Sequence, residues 1–300
     1  MKQRILITGS SGMLGIDLCQ ELYRDYDVIG MDLVRHPKSA VNRFYKCDVT
    51  EGRVVESVIG RAKPDIVIHC AAWADVDGCE LNSRKAYTVN AVGTRNIARA
   101  CRKAGATLIY ISTDFVFNGR KRRSYAEADK TGPLSVYGDS KLKGEAFIRK
   151  TLDRYFIIRT SWLYGRHGKN FVDTIAAKAK TEKVLRVVRD QAGSPTYAKH
   201  LAKGIHELLD KVAGRSGVSV KGFGVYHLSN SGGVSWYDYA RAILSLTGSK
   251  TKIIPITSGE LARPAKRPPM SVMDSSKFYK FTGYRMPGWK TALKEYLSKR

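Results

Sequence analysis

A chain of 300 residues, 33.4 kDa, 43% hydrophobic and 26% charged can bury a sizeable core, which excludes wholesale disorder and fibrous folds. With 52 Lys+Arg against 27 Asp+Glu the formal net charge is +25, which points to an anionic partner or substrate without choosing one. No apolar run approaches the ~20 residues that span a bilayer, and Gly9, Gly12 and Gly15 interrupt the N-terminal apolar stretch before a signal-peptide core forms.

Along the first 160 residues, short β-branched runs alternate with helical patterns. Strands are predicted at Arg4–Thr8, Val28–Asp32, Phe44–Lys46, Asp65–His69, Thr107–Ser112 and Tyr155–Thr160. Amphipathic stretches fall near 12–24, 51–62, 85–103 and 139–151. Apolar strands with little alternation are covered on both faces, so the sheet is parallel and its helical crossovers wind it right-handed. The expected fold is α/β, a Rossmann-type doubly wound parallel sheet. After Thr160 the rhythm fades and most of the prolines appear, with helical patterns near 170–182, 197–212, 235–247 and 289–298 and a strand at Gly224–Leu228. The expected division is a dinucleotide-binding domain at 1–160 and a smaller C-terminal substrate domain at 161–300, from which segments at about 197–230 return to the first. The five cysteines, Cys19, Cys47, Cys70, Cys79 and Cys101, are scattered without a CxxC pair and read as reduced thiols of a cytoplasmic protein.

The first strand runs into Gly9-Ser10-Ser11-Gly12-Met13-Leu14-Gly15 and then a helical pattern. Gly9 makes the turn, Gly12 lets backbone N–H groups approach a pyrophosphate, and Gly15 allows close helix–strand packing. Ser11, Met13 and Leu14 belong to the same phosphate loop. Asp32, ending the second strand, is placed to accept adenosine ribose hydroxyls, and Arg35 could pair with a 2′-phosphate instead. NAD and NADP both stay open.

Tyr137 and Lys141 stand four residues apart at a helix start, hence on one face. A neighbouring ammonium favours phenolate and lowers the tyrosine pKa, so the pair can exchange a proton with an oxygen whose carbon undergoes hydride transfer. Thr113, at the end of a strand in Ile111-Ser112-Thr113-Asp114, can hydrogen-bond that oxygen. Asn90 lies mid-helix, where it bonds locally or holds a water for proton relay.

With these residues in place the chain resembles an extended short-chain dehydrogenase/reductase, and within that superfamily the dTDP-4-dehydrorhamnose reductase branch. The resemblance covers nearly the full length. The glycine loop and the Tyr–Lys spacing are shared across the superfamily; Arg159-Thr160-Ser161-Trp162, Asp190-Gln191-Ala192-Gly193-Ser194-Pro195-Thr196 and Arg267-Pro268 through Ser271 point to the branch. It implies NADPH or NADH as cofactor and reduction of the 4-keto group of a nucleotide-linked 6-deoxy sugar, dTDP-4-dehydro-L-rhamnose to dTDP-L-rhamnose. Thr113, Tyr137 and Lys141 become catalytic. Asp48 and Val49 fall at the adenine end, Ala71, Ala72 and Asn90 along the cofactor, and Val76, Phe115, Trp162 and Arg267 at the substrate.

Two departures concern the sugar. Phe115 stands where the branch has Tyr, and Ala74 where it has Thr, so two hydroxyls are lost. Arg189 and Asp17 occupy positions that the branch uses for a magnesium-linked dimer, so no metal is expected, although a homodimer remains compatible. Rival readings are a nucleotide-sugar epimerase, which returns the hydride, and a non-catalytic subunit resembling the regulatory subunit of methionine adenosyltransferase. The basic run Arg120-Lys121-Arg122-Arg123 reads as a solvated loop, so neither nucleic acid nor membrane is an expected partner. Residues 1–160 carry 27 Lys+Arg against 18 Asp+Glu and residues 161–300 carry 25 against 9, so the excess is densest where an anionic nucleotide sugar would bind.

Overall fold

The computed structural model describes residues 2–212 and 222–299. Six strands, β1 (Arg4–Thr8), β2 (Asp27–Asp32), β3 (Arg43–Lys46), β4 (Ile66–His69), β5 (Thr107–Thr113) and β6 (Tyr155–Thr160), are joined by the strand Gly224–His227 in one seven-stranded sheet. From edge to edge the order is Gly224–His227, β6, β5, β4, β1, β2, β3, and every pairing is parallel. The fold is α/β and doubly wound. All seven residues of β5 are buried, as an unalternating apolar run requires when both faces are covered.

One face of the sheet buries Leu14, Leu18 and Leu22 of α1 (Met13–Leu22) with Leu201, Ile205 and Leu208 of the helix Ala198–Val212. The other buries Val55, Val58 and Ile59 of α2 (Gly52–Ala62) with Ile97 and Cys101 of the helix Thr94–Ala104 and Ile148 of the helix Val136–Thr151. A third core, running from Tyr164 to Tyr296, gathers Val172, Ile175, Tyr239, Ile243, Trp289 and Leu293. Of the stretch 197–230, the helix Ala198–Val212 lies against α1 and Gly224–His227 pairs with β6; residues 213–221 lie outside the described residues.

Two expectations need correction. The helical pattern 85–103 is not one α-helix: Ser83–Ala86 leads into a π-helical stretch, Tyr87–Gly93, before Thr94–Ala104. There the Thr94 hydroxyl donates back to the Asn90 carbonyl at 2.7 Å and the Asn90 side chain is drawn out of the helix. In the C-terminal half, Val184–Val188 and Lys252–Ile256 form a parallel pair that the sequence pattern does not announce. Lys252–Ile256 is mostly exposed and contains Pro255, so neither alternation nor a continuous buried run marks it.

At the switch point of this sheet the chain leaves β3 at one edge and returns beyond β1 to β4. The loops that follow β1 and β4 diverge there and open a crevice at the strands' carboxyl ends.

Candidate active site

The phosphate loop sits at that switch point. Gly9 has φ +68°, and a Cβ there would stand 2.7 Å from the Ala71 nitrogen on the loop after β4. A Cβ on Gly15 would meet the Gly9 carbonyl oxygen at 2.0 Å, so only glycine lets α1 start this close to β1. α1 begins after Gly12 with no side-chain cap and no acidic residue in its first turn. Its first N–H groups therefore face the crevice with the positive end of the helix dipole, which fits a pyrophosphate.

A cleft of about 590 Å³ opens from this loop. It is lined by Gly9, Gly12, Met13 and Leu14, by Ala72 and Val76, by Thr113, Phe115, Tyr137 and Lys141, and by Trp162 and Arg267. These predicted site residues come from six separate stretches of chain. The other predicted residues do not line the cleft. Asp32 accepts the Ser11 N–H at 2.9 Å and the Leu33 N–H at 2.7 Å, which fixes the loop after β2 against the phosphate loop. Arg35 is exposed on that loop. Asp48 caps its own turn through the Thr50 N–H at 2.8 Å, Val49 is buried, and the Ala71 N–H donates to the Thr8 hydroxyl at 3.2 Å. Asn90 does not line the cleft. Its amide oxygen accepts the Trp73 N–H at 2.8 Å and its nitrogen donates to the Trp73 carbonyl and the Ser140 hydroxyl, so it braces the loop after β4.

Ser135 caps the helix Val136–Thr151, accepting the Gly138 N–H at 3.3 Å, and the Val136 N–H donates to Glu80 at 2.9 Å. These contacts set Tyr137 and Lys141 on one face toward the end of β5. Phe115 meets the Tyr137 ring edge-on at 5.6 Å. Lys141 is buried; its Nζ donates to the Ile111 carbonyl at 2.7 Å and lies 4.2 Å above the Tyr110 ring. Burial brings its pKa down to about 7. The expected lowering of the Tyr137 pKa by Lys141 is not found. Burial pushes the phenol up, the hydrogen bond with Thr113 pulls it down, and the charge of Asp114 raises it. The ammonium is turned to the Ile111 carbonyl instead.

At the cleft's far wall Trp162 adopts φ +45°, in the left-handed region that non-glycine residues rarely enter. Its indole lies flat on that of Trp236, ring centroids 3.4 Å apart and 4° from parallel, and Trp236 also lines the cleft. Sequence reasoning missed Trp236. The hydroxyl before it, Ser235, is a helix cap, and the residue reads there as an ordinary core aromatic. Asp114 also lines the cleft beside Thr113, and no sequence pattern marks it.

Arg267 is paired within the chain. It lines the cleft, but its NH1 and NH2 both lie 2.7 Å from the Asp77 carboxylate in a bidentate pair that Arg263 joins at 3.2 Å. The Arg267 hydrogen bonds lower the Asp77 carboxyl to about 2. The guanidinium is thus committed to an acidic residue before any diphosphate arrives. Gln191, Trp236 and Arg267 also line a second, adjoining pocket of about 760 Å³ with Phe171, Ile175, Leu185, Val187, Lys178, Arg186 and Lys266.

Among the described residues no group of three or more His, Cys, Asp or Glu is placed to hold a metal ion, and no helix is long and apolar enough to cross a membrane. The five cysteines are free. In the basic run, Lys121 pairs with Asp129 and Arg122 is exposed.

A doubly wound sheet with a phosphate loop after β1, Thr113 at the end of β5 and a Tyr–Lys pair one helical turn apart defines an extended short-chain dehydrogenase/reductase. The chain belongs to one branch of that superfamily, the family described as RmlD substrate binding domain, whose model matches residues 2–300. It is 39% identical over 297 residues to the spore coat polysaccharide biosynthesis protein SpsK of Bacillus subtilis, covering 99% of this chain and 98% of the relative. It is 36% identical to the dTDP-4-dehydrorhamnose reductase of Aggregatibacter actinomycetemcomitans, covering 97% of each. The crystal structure of dTDP-4-dehydrorhamnose reductase from Bacillus anthracis in complex with NADP superposes with a TM-score of 0.90 at 36% identity, covering 100% of both chains.

Proposed function

We propose that this protein is an NAD(P)H-dependent reductase of the 4-keto group of a nucleotide-linked 6-deoxy sugar, with dTDP-4-dehydro-L-rhamnose as substrate and dTDP-L-rhamnose as product. The observation that carries the reading is the convergence of Thr113, Tyr137 and Lys141 in a cleft floored by the phosphate loop and walled by Trp162. The full-length likeness to reductases of this branch supports the same substrate class.

The uncapped start of α1 and the N–H groups of Met13 and Leu14 suit a dinucleotide pyrophosphate. Asp32 and Arg35 stand at the adenosine end, with either NADPH or NADH compatible. When bound, the nicotinamide supplies the hydride. Tyr137 delivers a proton to the sugar oxygen as it gains charge, Thr113 holds that oxygen, and Lys141 binds the cofactor ribose. Val76, Phe115 and Trp162 surround the sugar. The adjoining pocket, apolar on one side with Lys178, Arg186 and Lys266 at its rim, receives the nucleoside diphosphate, and Arg267 reaches it by exchanging Asp77 for phosphate oxygens. We also read residues 1–160 as the dinucleotide-binding domain and 161–300 as the substrate domain. The separate core from Tyr164 to Tyr296 supports that division, and the free thiols suit a cytoplasmic enzyme.

A panel of 4-keto nucleotide sugars offered with NADPH and with NADH tests the proposal. Net oxidation of cofactor with a dTDP-4-keto-6-deoxy sugar is expected. No oxidation across the panel would sink the reading, and isomerised sugar without net oxidation would instead mark an epimerase.

Lys141 provides a separate check. With its pKa brought down to about 7 by burial, part of the population lacks the Lys141 proton near neutral pH, and an anionic cofactor beside it favours the charged form. NADPH binding near neutral pH is therefore expected to take up a fraction of a proton, and affinity should fall as pH rises. Calorimetry in two buffers of different ionisation enthalpy measures the uptake, and Lys141→Met should abolish it. Buffer-independent heats would remove Lys141 from the cofactor site.

A further inference from the structure

Asp114 is 1% exposed, yet it lines the cleft with Thr113, Tyr137 and Ser271. Its Oδ1 accepts the Thr113 hydroxyl at 3.1 Å. Its Oδ2 is buried without a hydrogen-bond partner, while the nearby Ser271 hydroxyl is directed to the Ala192 carbonyl at 3.5 Å. A buried carboxylate with one oxygen left unpartnered is disfavoured in its charged form.

The hydrogen-bond count at Thr113 then decides what this residue can offer. A threonine hydroxyl has one proton and two lone pairs. One lone pair already accepts the Phe115 N–H at 3.2 Å. If Asp114 is ionised, the single Thr113 proton is spent on Oδ1. Thr113 then presents no donor to a carbonyl oxygen. If Asp114 carries a proton on Oδ1, that O–H donates to the second lone pair of Thr113. The Thr113 proton is released toward the cleft, where it and the Tyr137 hydroxyl form a two-donor site for an oxygen that is gaining charge.

We infer that Asp114 is a positioning residue that acts in its protonated form, turning Thr113 from a donor to the Asp114 carboxylate into a donor to the substrate's carbonyl oxygen. The inference rests on the reductase reading of the same cleft and adds the protonation state that the cleft needs. Asp114 keeps its proton throughout, and the proton that the product gains comes from Tyr137.

The surroundings agree. Burial lifts the Asp114 carboxyl to about 7, with the Ser271 and Thr113 hydroxyls and the backbone N–H groups of Asp114 and Phe115 pulling the other way. The ionisable groups sharing the cleft are Tyr137 and Lys141 from the helix Val136–Thr151, Cys70 after β4, and Lys169 and Arg267 from the C-terminal half. Lys141 is held by the Ile111 carbonyl and Arg267 by Asp77. Beneath Ser112, Glu145 and Arg159 are closed on each other. Lys169 is exposed, and among the described residues no cation is paired with Asp114.

The test is the pH dependence of kcat at saturating NADPH, where bound cofactor keeps Lys141 protonated. Wild type is expected to lose activity above about pH 7, approaching tenfold per pH unit. Asp114→Asn, whose amide donates to Thr113 at every pH, should retain activity and lose this limb, whereas Asp114→Ala should be slow throughout. A limb that persists unchanged in Asp114→Asn, or its absence from wild type, overturns the inference while leaving the reductase reading intact. A wild type inert toward every keto sugar defeats that reading first. Infrared spectroscopy of the unliganded protein needs no turnover. A protonated-carboxyl band at about pH 6 that titrates near neutrality is expected, and its absence from wild type refutes the inference even if the asparagine variant does not fold.

Discussion

Replacing Tyr137 by Phe is expected to lower kcat about 10²- to 10⁴-fold, the usual contribution of a positioned acid or base, with NADPH affinity changed little. The substitution removes one oxygen and leaves the ring against Phe115, so the cleft keeps its shape. Burial raises the Tyr137 phenol far enough to hold its proton until a sugar oxygen becomes basic enough to take it. Lys141 is a poor substitute because its ammonium is committed to the Ile111 carbonyl. Steady-state kinetics with the best sugar of the panel, together with a cofactor titration, separates the effects. A loss of kcat with unchanged cofactor binding places the phenol at the chemical step. A kcat within about threefold of wild type would reassign the proton to Lys141 or solvent.

The parts of this site that were legible in the sequence are those made by local geometry. The turn at Gly9, the approach at Gly15 and the four-residue spacing of Tyr137 and Lys141 are each settled within one strand–loop–helix unit, so residue types at fixed offsets reveal them. Thr113 was legible because a parallel sheet presents its strand ends. What escaped depends on contacts across long stretches of chain. The Asp77–Arg267 pair joins residues 190 apart, and its effect on the diphosphate assignment follows from a partner that no local pattern names. Trp236 reaches Trp162 only because Ser235 begins a helix at that place, and the resulting stack has no sequence signature. The pKa direction at Tyr137 differs from expectation for a related reason. Spacing predicts that the two groups are neighbours, but burial and the Ile111 carbonyl decide where the ammonium points. The break at Tyr87–Gly93 likewise reflects the pull of the Trp73 loop on Asn90, a tertiary demand overriding helix periodicity.

Removal of the Glu145 carboxylate is expected to be the most damaging single change to stability, about 3–5 kcal/mol. Glu145 is fully buried on the helix Val136–Thr151 and receives four hydrogen bonds: the Ser112 hydroxyl at 2.7 Å, Arg159 Nε at 2.9 Å, Arg159 NH2 at 2.7 Å and Arg149 NH2 at 2.7 Å. Burial raises its pKa, but the hydrogen bond and charge of Arg159, with Ser112 and Arg149, pull it below the ordinary carboxylate value. Arg159 is itself buried on β6, its guanidinium 5.2 Å from the Phe117 ring and its NH1 already without a partner. In Glu145→Ala a buried guanidinium loses its counter-charge and the Ser112 hydroxyl next to Thr113 loses its anchor. In Glu145→Leu with Arg159→Met the charge is removed from both sides, and most of the stability should return. Because the folded pKa of Glu145 is depressed, its contribution is fully present above the unfolded value of about 4.5 and is lost as pH falls through the folded one. Denaturant unfolding of the wild type, single and double variants is therefore expected to show the Glu145→Ala deficit at neutral pH and its shrinkage in acid. A double variant no more stable than Glu145→Ala would mean that the pair's worth lies in its shape rather than its charge, and a deficit independent of pH would lead to the same conclusion.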